Sequence, residues 1–422
     1  MSDSFPSPET IHRVELPNGI VVLAYENPTS PAVVVAGSVW AGAIGEPPAQ
    51  AGLARFTASM LMRGTERRAF AQINEELESV GASLGLHAGV HTAGFGGKSL
   101  TADLDLLLDV LADVLRHPAF PPAEVDTLQG QILTDLERRQ HDTRRMARLA
   151  FDELLYPDHA YGRSVSGYLE TVRGLGRDDL AGFYRDHYTP RGMIVALVGA
   201  VTTVDAVARV GAALGDWQAP QATAEMAVPP QVELGERRAR HVPVPGKTQA
   251  DVIVGWPGMT RNDPDHMAGT LANTVLGVFG MMGRLGDTVR DQQGLAYYVY
   301  SRLEAGLGAG PWLANAGVDP ANVERAVEGI VAQVRRLRDE PVPADELADS
   351  QAYLAGSMPL RLETNEGVAG AILEMERYGL GLDYLQRYAD LVRAVTPEQV
   401  RDVARGYLDP DTYVLATAGP GG

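Results

Sequence analysis

Apolar runs open the chain in short alternation. Val14-Glu15-Leu16 and Ile20-Val21-Val22-Leu23 flank Pro17-Asn18-Gly19. An Asn-Gly pair between two apolar runs suits a tight turn, so this stretch predicts a β-hairpin. Ala32–Trp40 is rich in Val without alternation, the pattern of a strand covered on both faces. Residues 49–64 lack Pro, carry the apolar Leu53, Phe56, Met60 and Met62, and close on Gly64, which predicts a helix with a glycine stop. A second helix fits 70–80, and the short alternation of 82–98 predicts a strand pair. Helical periodicity then runs over 101–116, 122–155 and 177–186, a strand over Gly192–Gly199, and a last helix over 203–214.

The pattern lapses at 217–235, where three Pro fall without a sustained period and predict a linker. Beyond it the element order of the first half returns. Pro122, Leu133 and Thr143 recur as Pro343, Leu354 and Thr364, each 221 positions later. Tyr188-Thr189-Pro190 followed by Gly199 has a counterpart in Tyr407, Pro410 and Gly419. A shared offset with a shared order predicts a duplicated domain: 1–216, the linker 217–235, and 236–422. Each half mixes antiparallel-looking strands with long helices, so the expected fold class is α+β.

Charge narrows the function. Acidic residues outnumber basic ones 54 to 36, giving a net charge of −18. That disfavours nucleic acid and anionic membrane surfaces as partners. No run approaches ~18 uninterrupted apolar residues, so nothing is expected to span a bilayer. There is no Cys, hence no disulfide framework, thiolate metal site or Cys nucleophile. The polar, Pro-containing start does not look like a leader peptide. The expected location is the cytoplasm, or the periplasm for a chain trimmed of its leader.

Candidate chemistry lies in the first helix, Gly52-Leu-Ala-Arg55-Phe-Thr-Ala58-Ser59-Met-Leu-Met-Arg-Gly64-Thr65. This segment resembles the zinc-site helix of the pitrilysin/insulinase family of inverted-motif zinc metallopeptidases. In that family His-x-x-Glu-His puts two zinc ligands one turn apart, with the Glu between them as general base. Here Arg55 and Ser59 stand where the two His belong and Ala58 where the base belongs. The family's third ligand is a Glu on a later long helix, and Asp135 sits at the matching spacing, 76 residues after Ser59. Catalytic zinc takes three protein ligands at ~2.0–2.2 Å plus an open position. One shortened carboxylate beside an Arg cannot provide that. The resemblance therefore implies a chain with no catalytic residue and no metal of its own.

The resemblance continues through most of the chain. Pro157-Asp-His159-Ala-Tyr-Gly162 and Phe183-Tyr … Tyr188-Thr-Pro190-Arg-Gly-Met193 resemble family segments, and so does Val395-Thr396 with Glu398. In the second half, Arg284-Leu285 … Val289-Arg290 … Gly294-Leu295-Ala296-Tyr297 resembles the family's Arg/Tyr signature. The resemblance implies that Arg290 and Tyr297 project towards the active site and bind substrate carbonyl oxygens. A planar guanidinium and a phenol are suitable donors for a peptide group.

Ligands erased but donors kept resembles the non-catalytic subunits of two-chain bacterial members. It implies a homologous zinc-bearing partner subunit, a peptide substrate, and self-association of the chain when alone. The family fold implies about six mostly antiparallel strands per half. A second reading keeps the fold as a structural scaffold with no role in proteolysis.

Two further features remain open. His87 and His91 would lie ~13 Å apart on one strand at ~3.3 Å per residue, too far for one metal, but closer if the chain turns at Gly89. Gly277-Val-Phe-Gly280-Met-Met-Gly283 lacks the Lys and Ser/Thr of a phosphate loop. It resembles in position the glycine-rich substrate loop of the non-catalytic subunit of mitochondrial processing peptidases. The plain alternative is a connection between helices.

Overall fold

The computed structural model describes residues 5–218, 228, 230–278 and 283–421. Its strands are β1 Ile11–Glu15, β2 Val21–Glu26, β3 Ala32–Val39, β4 Ser83–Ala88, β5 Ala93–Leu100, β6 Ile194–Gly199, β7 Arg238–Pro243, β8 Ala250–Pro257, β9 Ala296–Leu303, β10 Pro311–Val318 and β11 Val414–Gly419. Its first helices are α1 Leu53–Met60, α2 Phe70–Ser79, α3 Leu104–Arg116, α4 Pro122–Arg139, α5 Thr143–Leu155, α6 Leu169–Gly174, α7 Arg177–His187 and α8 Thr203–Leu214. Then come α9 His266–Gly277, α10 Val323–Asp339, α11 Ala344–Arg361, α12 Asn365–Arg377, α13 Tyr384–Arg393 and α14 Pro397–Tyr407. The chain is α+β, as the alternation of patterns predicts. The 122–155 stretch breaks at 140–142, where the Asp142 side chain accepts a hydrogen bond from Arg145 N at 3.0 Å and starts α5.

The chain forms two compact units. The first gathers residues 1–134, 164–227 and 358–387; the second gathers 135–163, 228–357 and 388–422. Each unit thus departs from a division at 217–235 by one borrowed segment. The linker's residues 219–227 and 229, and residues 279–282 of the glycine-rich stretch, lie outside the described residues.

In the first unit the sheet order is β1-β2-β6-β3-β5-β4. The β1–β2 hairpin closes at Gly19, whose φ of +86° is the left-handed conformation the Asn-Gly turn needs. β3 is central between β6 and β5, which explains its Val run. Val33, Val35 and Val39 face a core shared with residues of α1, α3 and α8. The opposite face, with Val34 and Ser38, is covered by α12 through its contacts with β3 and β6.

In the second unit the order is β7-β11-β8-β10-β9. It repeats β2-β6-β3-β5-β4 strand for strand: the first pair is parallel and the others antiparallel in both. The duplication read from the 221-residue offset is therefore present in the strand order, with β1 as the first unit's addition. β8 and β10 are buried along nearly their whole length, as strands covered on both faces must be. On one face Ala147, Ala150, Phe151 and Leu155 of α5 pack on Ile253, Leu313, Val414 and Ala416. The other side holds α9, α10 and α14, with Trp312 Nε1 donating to Asn273 Oδ1 at 3.0 Å. Among the described residues no helix is long and apolar enough to cross a membrane.

Candidate functional site

In the first unit the degenerate motif lies on α1. The helix starts from Gly52 at φ +100°, in close approach to Gly167. A Cβ on Gly52 would sit 3.0 Å from the Gly167 Cα, so glycine at both positions lets the two backbones meet. The buried Glu46 carboxylate accepts from Gly52 N at 3.1 Å and Ala54 N at 2.9 Å, satisfying free amides of the first turn. Arg55 and Ser59, four residues apart, share a face: Arg55 is exposed and Ser59 half-buried. Arg55 donates to the Ser166 hydroxyl. Ala58 is wholly buried in the core cluster.

These side chains do not fit zinc. A guanidinium, a methyl and a hydroxyl replace imidazole, carboxylate and imidazole, and a methyl can neither ligate nor take a proton. Asp135, on the part of α4 that belongs to the second unit, has both carboxylate oxygens taken by Arg145 at 3.1 and 2.8 Å. Among the described residues no three His, Cys, Asp or Glu side chains are grouped to hold a metal.

The two candidate histidines sit on a hairpin. The chain turns over Gly89–Thr92, with Gly89 N donating to Thr92 O at 2.9 Å. His87 lies on β4, an edge strand of its sheet, with its ring over Gly94. His91 is half-buried in the turn, and burial first, then the Arg377 cation, pulls its pKa down to about 4.

In the second unit Arg290 and Tyr297 lie on one continuous segment. Arg290 belongs to a π-helical turn, Gly286–Gln292, closed by Gln293 N donating to Thr288 O at 3.1 Å and Leu295 N to Val289 O at 3.0 Å. Arg284, almost wholly buried, anchors the start of this turn through two bonds to Glu346 at 2.9 and 2.8 Å. Gly294, at φ +63°, then lets the chain swing into β9. Arg290 is about one-third exposed and lies 4.0 Å from Asp291.

Tyr297 sits on β9 at the sheet edge, 71 % exposed. Its position is irregular in a second way. Gly317 of β10 pairs with Tyr298 and Val318 with Ala296, so Tyr297 faces no partner residue and is the extra residue of a β-bulge. The π-turn and the bulge have no pattern of their own in the residue string.

Comparisons fit this architecture. Residues 21–167 match the model of the insulinase family, peptidase family M16, and residues 174–354 match that of the peptidase M16 inactive domain. An uncharacterized zinc protease of Streptomyces coelicolor is 30 % identical over 94 % of this chain and 87 % of its own. A "probable mitochondrial-processing peptidase subunit beta" of Arabidopsis thaliana is 26 % identical over 64 % of this chain and 51 % of its own. The crystal structure of a peptidase M16 inactive domain from Pseudomonas fluorescens superposes with a TM-score of 0.90 at 26 % identity, covering 98 % of both chains. The chain belongs to peptidase family M16, the insulinase/pitrilysin family.

Proposed function

We propose that this chain is the non-catalytic, substrate-holding subunit of a heteromeric zinc peptidase, working in the cytoplasm. A homologous partner subunit brings the metal and the general base; this chain brings Arg290 and Tyr297 as donors to the peptide. The observation that carries the reading is that the two signature residues stand on the two irregular pieces of backbone in their segment. Arg290 is on a π-turn and Tyr297 on a bulge. Such irregularities re-aim side chains and recur at functional sites. The ring of Tyr297 is spent on no core, which suits a residue awaiting a ligand. The relatives named zinc protease and processing-peptidase subunit support a peptidase context.

The test combines the purified chain with a homologue from the same genome that keeps His-x-x-Glu-His, and follows cleavage of a peptide library. Alone, the chain should retain far less than one equivalent of zinc by elemental analysis and cleave nothing. In the complex, Arg290→Ala or Tyr297→Phe should slow cleavage by roughly 10²–10³ if the donor acts at the transition state, with assembly intact. Variants that assemble and cleave at the normal rate would replace this reading with the scaffold.

A further inference from the structure

Tyr297 is followed by another tyrosine, and the two are treated in opposite ways. Tyr298 turns to the α5 face, where its hydroxyl donates to Oδ1 of Asp251 on β8. To do so it crosses the intervening strand: Gly317 of β10 pairs with Tyr298 on one side and with Asp251 on the other. Only glycine allows the crossing, since a Cβ at 317 would lie 2.3 Å from the Tyr298 ring. Asp251 is an acid buried to 4 % exposure in an otherwise apolar strand, and its second oxygen accepts from the Thr143 hydroxyl. Arg144 lies over the Tyr298 ring at 4.3 Å and donates to its phenol oxygen at 3.1 Å. Burial, then Asp251, keeps the phenol protonated and so a donor.

Nothing comparable holds Tyr297, which is 71 % exposed. Its direction comes from the backbone alone. A bulge, however, is not fixed by the sequence Tyr297-Tyr298 itself. A shift of one residue would pair Tyr297 with Gly317 in place of Tyr298, and would turn each side chain to the other face. Something must distinguish the two tyrosines, and the clamp on the second does so.

We propose that Asp251, Tyr298 and Gly317 form a positioning device that pins the bulge and thereby aims Tyr297 off the sheet edge. Asp251 and Tyr298 act as positioning residues, through Tyr297 and not on substrate. The part of this that concerns cleavage rests on the function proposed above; the part that concerns the bulge does not.

Two readouts separate them. In the full-length chain alone, Tyr298→Phe keeps the ring and removes the anchor. Amide hydrogen exchange in a peptide spanning 296–299 should then rise roughly tenfold, while the core strand β8 stays protected. Asp251→Asn, which keeps an acceptor, should recover most of what Asp251→Ala loses. In the assembled complex Tyr298→Phe should lower kcat in the wild-type background and have no further effect on top of Tyr297→Phe. Unchanged exchange and cleavage in a folded Tyr298→Phe chain would overturn the proposal, and so would an effect that persists in full on top of Tyr297→Phe. If Tyr297→Phe itself leaves cleavage untouched, the substrate-holding role falls and the exchange result alone decides the positioning.

Discussion

α5 and α12 occupy matching places in the duplicated sequence, yet each covers the sheet built by the other half, and each grips it differently. α5 holds the second unit's sheet with an apolar stripe centred on Phe151 and with charge. Arg148 spans Asp152 at 2.8 Å and Glu304 at 2.7 Å, and Arg238 donates to Leu154 O at 2.9 Å. α12 holds the first unit's sheet with Val368, Ala369, Ile372, Leu373 and Met375, and its ends combine neutral contacts with two ion pairs, Lys98 to Glu366 at 2.8 Å, half exposed, and Arg13 to Glu376 at 2.7 Å. The Asn27 amide donates to Asn365 at 2.7 Å, Asn365 donates to Ala32 O at 3.1 Å, and Arg377 donates to Ser38 at 3.0 Å. Apolar area does the holding in both cases, while the directional bonds set where along the sheet the helix stops.

The hardest test of that comparison is a cut. A fragment of residues 1–216 keeps its sheet but loses α12, leaving Val34, Ala196 and Val198 uncovered. It should show no cooperative urea transition; a fragment melting like the whole chain would break the account. Within the full chain, Phe151→Ala should cost about 3–5 kcal/mol and Ile372→Ala about 2–5 kcal/mol by urea denaturation. Phe151 should be the worse, because its ring fills the space over Gly255, where a Cβ would lie 2.6 Å away. Glu304→Gln should cost about 1–2 kcal/mol, since Arg148 and Glu304 are only partly shielded, and Arg13→Ala, facing Glu376 on α12, less than about 1 kcal/mol.

The finest distinction is in pH. Burial, then Arg377 on α12, holds His91 at about 4, below its unfolded value of ~6.5. The stability of its neutral ring is whole above pH ~6.5 and is lost as pH falls towards 4. Burial pushes Asp152 on α5 up to about 6, against the pull of Arg148, above an unfolded ~3.9. Its contribution is whole below pH ~4 and is lost as pH rises through 6. Acidification should therefore weaken the α12 side and relieve the α5 side. Urea midpoints between pH 4 and 7 for His91→Asn and Asp152→Asn should differ from wild type with opposite slopes. His266, also held at about 4, follows His91 in sign, so only the single variants isolate each group.

Much of the fold was legible because local pattern and burial agree. The Asn-Gly hairpin, the Val-rich β3, α2 and α8 stand where the periodicity puts them. α6 escaped because six residues give too little period to register. The exchange of α5 and α12 escaped for a deeper reason. An apolar stripe says that a helix will be covered, not which sheet will cover it. That Arg55, Ala58 and Ser59 stand at the spacing of the family's zinc motif could be read from the residue string, because spacing within one helix needs no coordinates. The clamp on Tyr298 was not, although Asp251 amid apolar neighbours was a signal: an acid in such a strand must find donors.

The helix exchange also sets a clock. The first sheet's last strand ends at Gly199, and the helix that covers it begins at Asn365, about 165 residues later. At ~5–20 residues per second the ribosome needs roughly 8 to 33 seconds to make that stretch. For that interval a face bearing Val34, Ala196 and Val198 has no cover from its own chain. Newborn chains should accordingly be most prone to aggregate, and most dependent on chaperones, while the second half is still being synthesised.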